Sequence, residues 1–124
     1  WHYQHMIRPK EVTPGSIMPA YPWLKEDNLD LSLTKKKIIA MQTLNVPYEK
    51  GYENKAVKDL KAQSREIASA LVTDIYNKLP KNIQKEFDFD GEVAKLEKKE
   101  IVALIAYLQR LGTDIKATEE PTKK

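Results

Sequence analysis

The sequence predicts an all-α fold, and three observations predict it. Apolar residues recur at steps of three, four and seven over much of the chain after Thr34. No stretch alternates polar and apolar residues long enough to make a strand. Four of the seven prolines (Pro9, Pro14, Pro19, Pro22) fall within residues 1–33, so irregular chain is concentrated at one end.

The elements follow in order. Residues 1–33 hold both tryptophans and both histidines, and after a helical turn at Trp1 to Met6 they read as extended loop. Tyr21, Trp23 and Leu24 need something to pack against, so this segment reads as a wall of a site rather than a linker. A helix from Thr34 is capped by Ser32 or Thr34, places Ile38, Met41 and Leu44 on one face, and ends at Asn45-Val46-Pro47. A longer helix is expected over 54–79, with Val57, Leu60, Ile67, Leu71 and Ile75 as its apolar stripe and Leu79-Pro80 as its stop. A short polar segment over 81–91 has room for one helical turn. The clearest helix covers 97–111, with Ile101, Leu104, Ile105, Leu108 and Leu111 on one stripe and Gly112 after it. The tail 118–124 is polar and expected to be disordered.

Composition excludes several classes. The 124 residues are the size of one domain, 41% hydrophobic and 31% charged. A net charge of +3, from 21 basic and 18 acidic side chains, is too small and too dispersed for a nucleic-acid binder. With no cysteine, disulfides, thiolate metal sites and a C-x-x-C-H haem attachment motif are all absent from these residues. No apolar run reaches the roughly 18 residues of a membrane span. No acid, base and nucleophile stand together in the sequence, so the chain itself is not expected to be an enzyme.

The string Ser16-Ile17-Met18-Pro19-Ala20-Tyr21-Pro22-Trp23-Leu24 carries most of the functional information. Met18 sits in a proline-braced, aromatic-flanked loop. A thioether is a soft, neutral ligand for haem iron. On the residues alone, packing is the simpler account of Met18, because methionine commonly fills gaps.

That string, with Trp1-His2, His5, Pro9 and Pro14-Gly15 before it, is similar to the axial-methionine region of subunit II of cbb(3)-type terminal oxidases, a membrane-anchored monohaem cytochrome c subunit. The likeness continues through residues 37–48 and resumes over 100–114, where the closing helix also resembles the last helix of class I cytochromes c. Residues 49–96 match loosely, as an insertion. The resemblance implies a partial class I cytochrome c-like domain over 1–117, made of an axial-methionine loop region (1–33), a helix and turn (34–48), a helical insertion (49–96) and a closing helix (97–117). It implies that Met18 is the distal ligand of a haem c, that Pro19 holds its loop, and that Tyr21, Trp23 and Leu24 line or back the haem crevice. The attachment motif and the anchor would lie upstream of Trp1, and the chain is expected to be a C-terminal part without covalent haem of its own. The parent would sit on the periplasmic face of the bacterial inner membrane. There it would take electrons from a sister cytochrome c subunit and pass them to the haem–copper subunit, which reduces oxygen and pumps protons.

Other residues have plainer readings. His2 and His5 have the spacing of a metal pair but no third ligand nearby. Arg8 and Lys10 could neutralise haem propionates, although solvated charge is the simpler account. Lys35-Lys36-Lys37 reads as a solvated helix start, and Asp88 and Asp90 as loop carboxylates without the ligand count of a calcium site. The rival to the electron-transfer reading is a non-catalytic helical interaction module that self-associates, with the aromatic residues of 1–33 left uncovered.

Overall fold

Among residues 1–111, which the computed structural model describes, seven helices and one 3-10 turn account for all regular structure apart from an isolated bridge. The helices are α1 (His2–Ile7), α2 (Pro9–Val12), α3 (Thr34–Thr43), α4 (Tyr52–Lys78), α5 (Lys81–Gln84), α6 (Phe89–Leu96) and α7 (Glu100–Arg110), with the 3-10 turn at Pro22–Lys25. The all-α expectation holds. The expected stop at Gly112 and the expected disorder of 118–124 lie outside the described residues.

Residues 1–33 are more structured than a loop. Pro9 and Pro22 each occupy a first helical position, and each starts a single turn. The fixed φ of proline suits that position, and its missing N–H would have no helical partner there. Proline therefore initiates structure here as well as interrupting it.

The α3 expectation holds in extent but not in detail. Neither Ser32 nor Thr34 caps it; Leu33 is the N-cap, with no side-chain bond. Ser32 instead turns back to Asp30, its N–H and hydroxyl donating to the carboxylate at 2.8 and 3.0 Å. Those bonds hold the Asp30 carboxyl below its usual pKa. The apolar face built on Ile38, Met41 and Leu44 is not a core face, since α3 has no buried residue and Leu44 is 72% exposed. Polar contacts tie α3 to α4: Lys35 Nζ donates to Asn54 Oδ1 at 2.7 Å, and Gln42 Nε2 to Glu53 Oε2 at 3.3 Å.

Helix α4 runs 27 residues, about 40 Å at 1.5 Å per residue. Gly51, at φ +85°, starts it, and Leu79-Pro80 ends it as expected. Its fully covered positions are Ala56, Ala68 and Val72. Val57, Leu60, Ile67, Leu71 and Ile75 flank that line, half-buried. Small side chains let neighbouring elements approach closest, so the line of contact runs beside the large-residue stripe. After α4, the Gln84 side chain donates to the carbonyls of Tyr76 and Leu79 at 3.0 and 2.9 Å, satisfying acceptors that the helix end leaves open.

Helix α6 is a correction. Asp88 and Asp90 do not sit in a loop; Asp88 is an N-cap whose Oδ1 accepts from the Gly91 N–H at 3.0 Å, and Asp90 lies in the first turn. A side chain at Gly91 would collide with the Asp88 carboxylate. The last helix correspondingly begins at Glu100 rather than 97.

Two apolar clusters hold these elements. Ile101, Val102 and Ile105 of α7 are covered by Tyr3, Met6 and Ile7 of α1, by Leu24, and by Ile67 and Leu71 of α4. Ala68 and Val72 meet Val93 of α6, with Phe87 and Phe89 packed against them. Leu96 touches both clusters. The segment after the 3-10 turn is fastened to the start of α7. The Leu29 N–H donates to the Lys98 carbonyl at 2.9 Å, the Glu100 N–H to Asp27 at 3.1 Å, and Lys99 Nζ to the Glu26 carbonyl at 2.6 Å.

Candidate functional site

The Met18 loop is shaped by its own residues before anything packs on it. Thr13-Pro14-Gly15-Ser16 closes a turn, with the Ser16 N–H donating to the Thr13 carbonyl at 3.0 Å. Proline at its second position and Gly15 at φ +83° at its third are the residues such a turn demands. Ser16 Oγ then accepts from the Met18 N–H at 3.2 Å. Three residues on, the Tyr21 N–H donates to the Met6 carbonyl at 2.9 Å and fastens the far side of the loop to α1. Met18 is thus held between a turn on one side and a helix on the other.

Its side chain is half-buried and lines an open groove of about 710 Å³. Ile7, Pro9, Pro19 and Ala20 supply apolar wall, while Arg8, Lys10 and Glu11 supply charge. Arg8 pairs with Glu11 at 3.3 Å, but both are well exposed and the pair adds little stability. The groove offers a flat, largely apolar ligand one soft donor and two cations, a set that suits a haem edge and its propionates.

The other residues expected at the site are placed differently. Tyr21 and Trp23 meet edge to face, ring centres 5.3 Å apart, but neither lines the groove. Leu24 belongs to the α7 cluster. Ser16, whose hydroxyl holds the Met18 amide, is the residue that sequence reasoning gave no role; the Pro-Gly pair before it was the available signal.

His2 and His5 flank the Trp1 ring, with centre distances of 5.3 and 4.4 Å. The Nδ1 atom of His5 is buried without a hydrogen-bond partner among the described residues. Among those residues no group of three metal-ligating side chains exists, so the pair has acquired no third ligand. Nor is any described helix long and apolar enough to cross a membrane.

A family model described as "Cytochrome C oxidase, mono-heme subunit/FixO" matches residues 1–115. The chain belongs to that family. That family is the mono-haem, electron-transfer subunit of the cbb(3)-type oxidase, as the Met18 string and closing helix implied, and haem c is its cofactor. The complex to which the family belongs has several subunits and is an oxidase. The matched span includes residues 49–96, which the resemblance covered only loosely. No curated protein and no solved structure matches the chain.

Proposed function

We propose that Met18 Sδ is the distal axial ligand of the subunit's haem c, and that residues 1–24 form the methionine side of the haem crevice. The observation that carries this is a half-buried thioether on the wall of a groove, in a loop fastened at both ends by backbone hydrogen bonds. A ligand to iron must be held at one distance, and a loop pinned by the Ser16 hydroxyl and the Met6 carbonyl meets that need. Pro19 narrows the loop's freedom at the next residue. Arg8 and Lys10 stand where they can pair with carboxylates on the ligand's edge. Tyr21 and Trp23, in edge-to-face contact just after the loop, would back it. When bound, haem c supplies reversible one-electron chemistry at its iron. The chain itself performs no catalysis. Its role is to ligate, orient and shield, within a complex in which a sister cytochrome c subunit donates electrons and a haem–copper subunit accepts them on the periplasmic side of the membrane.

The test is Met18→Leu in the haem-loaded subunit. The absorption band that marks sulphur–iron coordination should vanish. The reduction potential should fall by on the order of 0.1 V or more, within the roughly 0.8 V range that axial ligands span. Retention of both properties overturns the assignment.

A second reading, self-association through α3, has one observation in its favour. Leu33, Ile39, Met41, Leu44 and Val46, in and beside α3, are all exposed, at 49%, 44%, 46%, 72% and 37%. Light scattering that finds a monomer at high concentration removes it.

A further inference from the structure

The molecule has a second large concavity, which shares no residue with the Met18 groove. It has a volume of about 580 Å³ and lies between the first half of α4 and residues 28–31, with Glu97 and Lys98 completing its wall. That volume falls within the range of small-molecule sites, roughly 300–1,000 Å³. Leu29, Leu31, Leu60 and Ala62 make its apolar surface. Behind it a recess of about 30 Å³, which also touches Leu29 and Leu60, is walled by Val102, Ala103 and Ala106 of α7. The apolar lining therefore extends inward, towards the α7 cluster.

Its charge is one-sided. Lys61, Arg65 and Lys98 line the cavity against a single carboxylate, Glu97. None of these four is in an ion pair among the described residues; the pairs found there are Arg8–Glu11, Lys78–Asp74 and Lys95–Glu92. Lys61 and Arg65 are four residues apart on α4 and so emerge on one side of it. Three cations beside a deep apolar surface make an arrangement with two chemistries in contact. The cations suit a phosphate, which Arg can bind through two N–H groups and Lys as a point charge. The leucines suit hydrocarbon. No aromatic side chain lines the cavity to stack a nucleobase.

We propose that this cavity binds one acidic phospholipid, its phosphate among Lys61, Arg65 and Lys98 and part of an acyl chain along Leu29, Leu31 and Leu60. A zwitterionic headgroup would bring its own ammonium against the three cations and bind more weakly. The inference uses nothing about Met18 and stands or falls separately from the haem ligand.

Titration of the chain with dioctanoyl phosphatidylglycerol, below its micelle concentration and followed by amide NMR, tests this. Saturable shifts are expected at Leu31, Leu60, Ala62 and Arg65. The double variant Lys61→Gln/Arg65→Gln, at two exposed positions, should bind about 25-fold more weakly, a factor of about five for each basic residue lost beside an anionic headgroup. Ala62→Trp fills the cavity without altering charge and should also abolish saturable binding; it decides the matter if the charge variant fails to fold. Equal affinity for dioctanoyl phosphatidylcholine overturns the proposal, as does equal affinity for inorganic phosphate alone. Shifts that map to the Met18 groove instead overturn it too.

Discussion

Helices α3 and α7 both lie in stretches that carry the family resemblance, and both show apolar residues at helical spacing, yet only one is a core element. Helix α7 buries Ile101, Val102 and Ile105, because α1, the Leu24 turn and α4 close around it from different sides. Helix α3 buries nothing. It is joined to α4 by polar contacts from Lys35 and Gln42, and Met41 and the following Leu44 are 46% and 72% exposed. Apolar spacing says which side of a helix would be covered; it does not say that anything covers it. Burial is decided by how many other elements the chain can bring to that side, which depends on contacts distant in sequence.

That difference should be largest in a matched pair of truncations. Ile105→Ala removes a side chain that is 2% exposed and surrounded by three elements, and should cost about 3 kcal/mol in urea unfolding. Leu44→Ala, at 72% exposure, should change stability by under about 0.5 kcal/mol. Similar costs for the two would mean that α3 is covered in solution, and the contrast would fail.

Local chemistry explains what was legible in the sequence. The end of α4 follows from Leu79-Pro80, residues that stop a helix without help from elsewhere, whereas its start lies two residues before the expected 54, just after Gly51. The end of α3 follows in the same way from Asn45-Val46-Pro47, but its start does not, since neither Ser32 nor Thr34 caps it. Position-specific features were lost where one residue type has two uses. Proline in the sequence signals a break, but at Pro9 and Pro22 it begins a turn. Aspartate beside glycine signals a loop, but Asp88 caps α6. At the candidate site, Met18 and Pro19 line the groove where the resemblance led one to look. Leu24, half-buried, packs against the α7 cluster, next to a Glu26–Leu29 segment fastened to the start of α7, a pairing of residues some 70 positions apart that no local pattern encodes. The Ser16 hydroxyl bond to Met18 spans two residues, yet it depends on the turn angle that Gly15 permits.

Helix α6 gives the next largest effect. Val93 on α6 covers Ala68 and Val72, so the second cluster needs this helix to form. Asp88→Ala removes the side chain that accepts from the Gly91 N–H, and should cost about 1 kcal/mol. Asp88→Asn keeps an acceptor and should recover most of that loss. If the alanine variant is as stable as the native chain, α6 does not depend on its cap.

The smallest effect tests whether the two clusters form one structure. Tyr3 of α1 packs in the α7 cluster and lines a cavity with Val72, Phe87 and Glu92, so it stands where the clusters meet. Burial raises its hydroxyl pKa above 10.0, and the Glu92 carboxylate pushes the same way. In the unfolded chain the phenol ionises near pH 10; in the folded chain it keeps its proton to higher pH. The folded state therefore binds more protons in this window, and stability falls as pH rises from about 10 through the folded-state value. Urea unfolding from pH 8 to 11 should show that decline in the native chain and a shallower one in Tyr3→Phe, which has no phenol to titrate. Parallel pH profiles would mean that the Tyr3 hydroxyl meets water freely, and that α1 does not close over the junction between α7 and α6.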